Sequence, residues 1–390
     1  MDPRTPSPVS PRNLTADNNE QREFMRQERN RLFASGAWEP ATCAQFVSRV
    51  HVVPKPNGRG YRVVQDLRHL NTHCVKTPIK YETLARVPKL LRKGDWMFQW
   101  DILDGYHHVA IAPQYRKYFV FQFEGEYIQC AALPFGWSDS PRIFVKTMRP
   151  LMQYLRSPLG PGARLGETEP SRRGLRAMSY VDDFWATEAT RELARTASAW
   201  VQSVLQMLGV TWHPDKSIWE PTQFLVLLGI EVNSAQGVFR SPPPRLNRLQ
   251  QMAREIACDA ISHQRRTPAC KMASFVGLAQ SCYLALPETR FFLRELHDVL
   301  NTRASWGGTV VLSKQALRDL RWWASCGTVA QQGAAIWRQR QTADLWTDAS
   351  DTAWGGATNA NPAVECSASC CVRVVFGPLH SAQPPYKCAS

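Results

Sequence analysis

Tyr180-Val181-Asp182-Asp183, followed by Phe184 and Trp185, is the stretch on which the reading of this 390-residue chain turns. Two adjacent carboxylates stand between apolar, strand-forming residues, which predicts a tight hairpin presenting paired charges. Adjacent ionised carboxylates repel, and taking them out of water is costly, so such a pair calls for a cation. Magnesium is the natural one, a hard ion that prefers oxygen ligands. An Asp pair in a turn is also a common solvated loop, so the case has to come from elsewhere in the chain.

It comes from MFQWDILDGYHHVAI (97–111), where a strand-forming run ends at Asp101 and Asp104 follows three positions later. A carboxylate at a strand end, facing a hairpin with Asp182 and Asp183, can set three acidic groups around two ions about 3.5–4 Å apart. That spacing serves in-line phosphoryl transfer, so the site makes or breaks phosphodiesters. One ion would acidify an attacking hydroxyl and the other would neutralise the leaving group, while the protein positions and supplies charge.

Six segments then occur in a fixed order: VPKPNGRGYRVVQDLRHLN (53–71), FQWDILDGYHHV (98–109), LPFGWSDSPRIF (133–144), YVDD (180–183), HPDKSIW (213–219) and FLVLLGIEV (224–232). They resemble the fingers segment, first catalytic motif, template-grip motif, second catalytic motif and palm-closing motifs of retroelement reverse transcriptases, over roughly residues 45 to 240. The resemblance implies an α+β right-hand polymerase, with fingers, a palm built on an antiparallel sheet and a helical thumb. It also implies an RNA-directed DNA polymerase that adds deoxynucleotides to a primer 3′-hydroxyl on an RNA or DNA template. The implied cofactors are two Mg2+ ions, with Mn2+ as a substitute.

Carried over residue by residue, Asp101, Asp182 and Asp183 match the metal-binding triad, with Asp183 the least certain direct ligand and the Ile102 carbonyl completing the shell. Lys55 and Arg62 stand where the fingers grip the incoming triphosphate, and a point charge beside a guanidinium fork suits a polyphosphate. Asp104, Tyr106 and Phe135 match the nucleotide pocket, Tyr106 as the ring that would collide with a 2′-hydroxyl. Gly136 and Trp137 match positions against template and primer, and Lys216 matches a lysine proposed to protonate the leaving pyrophosphate. Many retroviral enzymes carry glutamine where this chain has Phe135, whereas gypsy-type elements carry phenylalanine. That residue points to a retrotransposon of gypsy-type LTR kind, and the linking LRDLRWWASC (317–326) resembles the connection found in retroelements of tyrosine-recombinase type. His107 and His108 lack partners at metal-site spacing and read as structural.

Composition agrees. A formal charge of +14 calls for a polyanionic partner, and 44% hydrophobic residues can build real cores. No run of 18 or more apolar residues and no apolar stretch after Met1 is present. The eleven cysteines show no repeated C-x-x-C pair. With Cys366, Cys370 and Cys371 lacking histidine partners at zinc-site spacing, they read as reduced thiols of an intracellular protein that contacts no membrane.

The expected organisation is a proline-rich disordered leader over 1–20, fingers and palm over 21–240, a helical thumb and connection over 241–326, and a partial ribonuclease H-like segment over 340–390. Within it the sequence predicts a helix near 20–33, another near 82–93, and a hairpin turning at Glu124 to Glu126. It predicts further helices opened by Ser138 or Asp139 and spanning 190–209 with Leu208 on its apolar face, and a mobile arginine-bearing loop after Leu155. Pro242, Pro243 and Pro244 mark the start of a helical region with more basic than acidic residues.

ADLWTDASDTAWGGA (343–357) resembles the opening hairpin of a ribonuclease H domain, with Asp348 at its first metal-binding carboxylate. That fold needs later carboxylates that the segment does not supply, so no ribonuclease H activity is expected. Three readings follow: a reverse transcriptase, a catalytically silent nucleic-acid-binding relic, and a nuclease built on Asp348. The intact carboxylates with Lys55, Arg62 and Tyr106 favour the first. Oligomeric state is not readable from the sequence.

Overall fold

A computed structural model describes residues 19–43, 46–55, 60–75, 77–157, 174–337, 345–349, 353–358 and 361–367. The chain divides into two compact units, Met1–Ile336 and Trp337–Ser390.

In the first unit, strands β1 (Trp38–Pro40), β2 (Val47–Pro54), β3 (Tyr61–Asp66), β4 (Trp96–Asp101), β5 (Val120–Phe123), β6 (Glu126–Cys130), β7 (Arg176–Tyr180), β8 (Asp183–Glu188) and β9 (Ile218–Thr222) make two sheets. The first has the order β1-β6-β5-β2-β3 and the second β7-β8-β4-β9. All pairs in the second sheet are antiparallel, as expected for the palm. The β5–β6 hairpin turns through Glu124 and Gly125, both at positive φ, the signature of a type I′ turn.

Helices Ser140–Arg156 and Arg191–Met207 cover the second sheet, burying Phe144, Leu155, Val201 and Leu205 in one core with Phe98, Trp100 and Phe184. Trp100 is 1% exposed and lies between Phe184 and Trp219, with ring centroids 5.4 and 5.8 Å away. The helix Asn19–Ala34 buries Met25 and Leu32 in the same core. It begins inside the stretch assigned to a leader, whose residues 1–18 lie outside the described ones, as does the loop 158–173.

Three local expectations need correction. Between 82 and 93 there is no long helix, only a 3-10 turn Leu84–Arg86 and a single turn Val87–Leu90 with Pro88 at its start. The turn stops because Leu91 is extended. At the helix Ser140–Arg156 the N-cap position is Asp139, but its carboxylate pairs with Arg142 and makes no cap bond. Ser140 Oγ donates instead to the Pro134 carbonyl at 2.8 Å. Leu208 lies one residue past its helix and is 56% exposed, while Thr190 does cap that helix by accepting from Leu193 N–H.

Beyond the second sheet, β10 (Phe224–Leu227), β11 (Ile230–Asn233), β12 (Val238–Arg240) and β15 (Ala334–Ala335) form a small sheet, and β13 (Arg266–Pro268) pairs with β14 (Thr309–Val311). Pro243 and Pro244 occupy the first turn of the helix Pro243–Ser262, where a missing N–H is harmless. That helix packs with Ala269–Gln280, Thr289–Asn301 and Lys314–Ser325 around a second core containing Leu249, Phe275, Leu296 and Trp323. In the second unit, β16 (Leu345–Ala349), β17 (Ala353–Thr358) and β18 (Asn361–Ser367) form an antiparallel meander. Among the described residues no helix is long and apolar enough to cross a membrane.

Trp100→Ala should leave a large cavity under the second sheet and lower stability by about 3–5 kcal/mol. Urea unfolding followed by far-UV circular dichroism measures this; a loss well under 1 kcal/mol would mean that the stack is not a packed core.

Candidate active site

The antiparallel register brings the acidic residues together. In the β4–β8 ladder Asp101 is the register partner of Asp183, and in β7–β8 Tyr180 pairs with Asp183 across a two-residue turn, Val181-Asp182. Ile102 N–H donates to the Asp182 carbonyl at 3.1 Å, which ties the turn to the end of β4. Val181 sits at φ 55, a left-handed conformation that a β-branched residue adopts only under strain.

The Asp101 backbone is held on its other side. Its N–H donates to Ser217 Oγ at 3.2 Å, and its carbonyl accepts from His213 N–H at 2.8 Å. The isolated bridge between Ile102 and Trp212 uses the Asp101 carbonyl and the Leu103 N–H, and so leaves the Ile102 carbonyl out of that bridge.

Charge at this end of the sheet is unbalanced. Asp101 is nearly buried, whereas Asp182 and Asp183 keep their side chains accessible at the rim while protein crowds them from below. Lost hydration, then repulsion from Asp182 and Asp101, pushes the Asp183 carboxyl up to about 6, with Lys216 opposing. Asp182 is raised for the same reasons, with Lys216 and Arg62 opposing. Lys216 Nζ lies 3.3 and 3.5 Å from the Asp101 carboxylate oxygens, so the lysine expected at the leaving group is an ion-pair partner of the first aspartate. Asp101, Asp183, Lys216 and Gly229 line one cavity of about 250 Å³. Among the described residues no group of three or more His, Cys, Asp or Glu side chains closes around a common point as a preformed metal cage.

Tyr106 lies on the 3-10 turn Gly105–His108, its ring 4.9 Å from Phe135 and 5.7 Å from Phe144. Burial first, then the charge of Asp182, pushes its hydroxyl up to about 12. Tyr106, Phe135 and Asp182 therefore share one neighbourhood. Arg62 enters it from β3, its guanidinium 6.0 Å from the Phe135 ring. Lys55 stays at the exposed tip of the β2–β3 hairpin, where its N–H donates to the Gly60 carbonyl.

The loop carrying Phe135 is fixed from the fingers side. Gly136 has φ +107, and a Cβ there would run into the Gln65 carbonyl oxygen, so no other residue fits. Asn71 clamps both sides of it, Nδ2 donating to the Gly136 carbonyl and Oδ1 accepting from Ser138 N–H, each at 2.9 Å. Trp137, expected against template and primer, has its ring on Phe119 and its Nε1 on Cys74 Sγ at 3.3 Å, so much of it packs inward. Asp104 is also engaged: it adopts φ 49 and accepts from Arg31 at 2.5 Å.

Asn71 and Arg31 were not singled out from sequence. Asn71 does end the quoted fingers motif, whereas Arg31 carries no local signal. His108 Nε2 accepts from Thr211 N–H at 3.2 Å, in keeping with a structural role. Asp348 lies in β16 opposite Gly355, and its side chain lies outside the described ones.

The unfolded Asp183 titrates at its ordinary 3.8 and the native one at about 6. The native state therefore binds more protons in that window, and stability falls as pH rises through it. Asp183→Asn should remove this dependence. At pH 7 in a chelator the variant is expected to unfold a few degrees higher than the native chain, with a flatter profile between pH 4 and 6. Differential scanning calorimetry decides, and a lower Tm for the variant would contradict the crowding.

Residues 53–232 match the family model described as reverse transcriptase (RNA-dependent DNA polymerase). Among solved structures, the chain is similar to the foamy viral protease-reverse transcriptase dRH in complex with ds DNA, at 17% identity and TM-score 0.66, covering 93% of this chain and 58% of that one. The foamy viral protease-reverse transcriptase in complex with RNA/DNA hybrid is similar at 16% identity and TM-score 0.63, with 93% of this chain and 44% of that one covered. This chain thus spans little more than half the length of the first of these enzymes. Residues 53–232 thus match the reverse transcriptase family model, and the chain shares the fold of those enzymes.

Proposed function

We propose that the chain is an RNA-directed DNA polymerase of a retrotransposon, extending a primer on an RNA or DNA template with deoxynucleoside triphosphates. The observation that carries this reading is the register that sets Asp101 opposite Asp183, with Asp182 in the intervening turn bonded to Ile102. Foamy viral enzymes of the same fold, captured on ds DNA and on an RNA/DNA hybrid, support the choice of partner. Phe135 supports a gypsy-type element, and LRDLRWWASC (317–326) supports a tyrosine-recombinase element. Residues 21–240 would then be fingers and palm, and 241–326 the thumb and connection.

The donor chemistry fits divalent metal. Three carboxylates with surplus negative charge, opposed chiefly by Lys216 and Arg62, make an all-oxygen set suited to a hard cation. Asp101, Asp182, Asp183 and the Ile102 carbonyl would hold two Mg2+ ions, which supply the charge that acidifies the primer hydroxyl and neutralises pyrophosphate. Arg62 and Lys55 would neutralise and orient the triphosphate. Tyr106, backed by Phe135 and Phe144, is a rigid wall beneath the sugar, so a 2′-hydroxyl meets a ring that cannot retreat. Lys216 would leave Asp101 and donate its proton to the departing phosphate oxygen, its long exposed stem allowing that movement.

In primer extension on an RNA template, Asp182→Asn should lower incorporation by at least about 10³-fold while the protein stays folded. Native-level incorporation by this variant, or none by the well-folded native chain, would favour the silent relic instead. Tyr106→Ala should weaken discrimination against ribonucleotides by roughly ten- to two-hundred-fold, read from the ratio of kcat/KM values for a ribo- and a deoxynucleotide. An unchanged ratio would remove the steric wall from the mechanism.

A further inference from the structure

Among the described residues β7, the strand leading into the acidic hairpin, has no strand on its outer edge, where it ends its sheet. Edge strands expose unpaired backbone groups, and here side chains take the place of the missing strand. Ser179 N–H donates to Glu82 Oε2 at 2.9 Å, and the Ala177 carbonyl accepts from Arg156 Nε at 3.0 Å. Arg156 Nη2 donates to the same Glu82 Oε2 at 2.6 Å, and Arg86 pairs with the other oxygen. Glu82 and Arg156 thus form a locked ion pair spanning two rungs of β7. The Tyr81 ring lies 5.6 Å from Tyr180, extending the contact one residue further towards the turn.

Lateral position matters most here. Val181 is strained and the two aspartates beyond it repel, so the turn gains from any freedom β7 is allowed. The Glu82 side chain is 19% exposed, which limits competition from water for its oxygens. Its contact falls on Ser179, three residues before Asp182, and a displacement of about 1 Å at a reacting centre costs about 10²-fold in rate.

We propose that Glu82 is a positioning residue for the polymerase reaction: through the Ser179 N–H, and held in place by Arg156, it sets β7 and with it the Asp182 carboxylate. The proposal rests on the polymerase reading above. Glu82 lies outside every quoted motif and 97 positions from Ser179.

The test compares Glu82→Leu with Glu82→Gln, whose amide oxygen still accepts from Ser179 N–H. Steady-state primer extension gives kcat and the deoxynucleotide KM, and hydrogen exchange follows the peptide containing Ser179 and Tyr180. Glu82→Leu should lower kcat roughly ten- to hundred-fold, leave KM within about threefold, and speed exchange at Ser179. Glu82→Gln should recover kcat to within about fivefold of native. Should Glu82→Leu fail to fold, Arg156→Gln, which frees the carboxylate from its clamp, is expected to show the same kcat loss and faster exchange. Native kcat in folded Glu82→Leu, a loss confined to KM, equal losses in the Leu and Gln variants, or unchanged exchange at Ser179 would each overturn the proposal. Inactivity of the native chain would sink the polymerase reading alone, since exchange still reports whether Glu82 holds the strand.

Discussion

Like charges gathered at one end of an antiparallel strand pair are the constraint that the rest of the structure answers. The β4–β8 register and a two-residue turn leave Asp101, Asp182 and Asp183 no way to separate without breaking the ladder. Their repulsion is met from three directions. Lys216 pairs with Asp101, Arg62 acts on Asp182, and the Ile102 and Ser217 bonds hold the backbone so that the charges cannot drift apart. Beneath them Trp100, Phe184 and Trp219 are stacked, a rigid floor that would not yield to a shift of either strand. The repulsion that remains keeps the Asp183 carboxyl raised while its side chain stays accessible, at a cost to the fold.

The loop carrying Phe135 obeys a different constraint, close approach of backbone. Gly136 has to be glycine because the Gln65 carbonyl fills the space of a side chain, and Asn71 ties both flanks of that loop to the fingers. Phe135 is thereby held against Tyr106, which is itself backed by Phe144 from the helix Ser140–Arg156. The loop carrying Phe135, the helix Ser140–Arg156 and the turn carrying Asp182 meet around the Tyr106 ring, so its surroundings depend on all three.

Much of this was legible in local pattern. The strand ending at Asp101, the hairpin at 180–183 and the turn at Glu124-Gly125 follow from runs of strand-forming residues and turn chemistry, both of which act within a few residues. What failed was local pattern overruled by distant contact. The stretch near 82–93 has helical spacing, yet its residues are engaged by β7: Glu82 with Ser179 N–H, the Leu90 carbonyl with Arg176, and Asp95 with the same arginine. Asp139 resembles a cap, but Arg142 one turn later competes for its carboxylate. Arg31 with Asp104, and Ser217 with Asp101, join positions 73 and 116 apart, separations at which periodicity carries no information.

Arg31 also bears on where the functional unit begins. The family match starts at residue 53, yet the helix Asn19–Ala34 supplies Met25 and Leu32 to the core that contains Trp100 and Phe184. From the same helix Arg26 and Arg29 reach Glu124 and Glu126 at the β5–β6 turn, and Arg31 reaches Asp104 three residues beyond Asp101. The surface pairs are worth little singly, but buried methionine and leucine side chains contribute about 1.5–3 kcal/mol each. Asp104 holds a left-handed backbone at the mouth of the Tyr106 turn, and its partner comes from outside the matched segment. The segment defined by family resemblance is therefore smaller than the segment that physics makes cooperative. Residues 19–34 belong to the same cooperative body, because its core and the turn carrying Asp104 are incomplete without them.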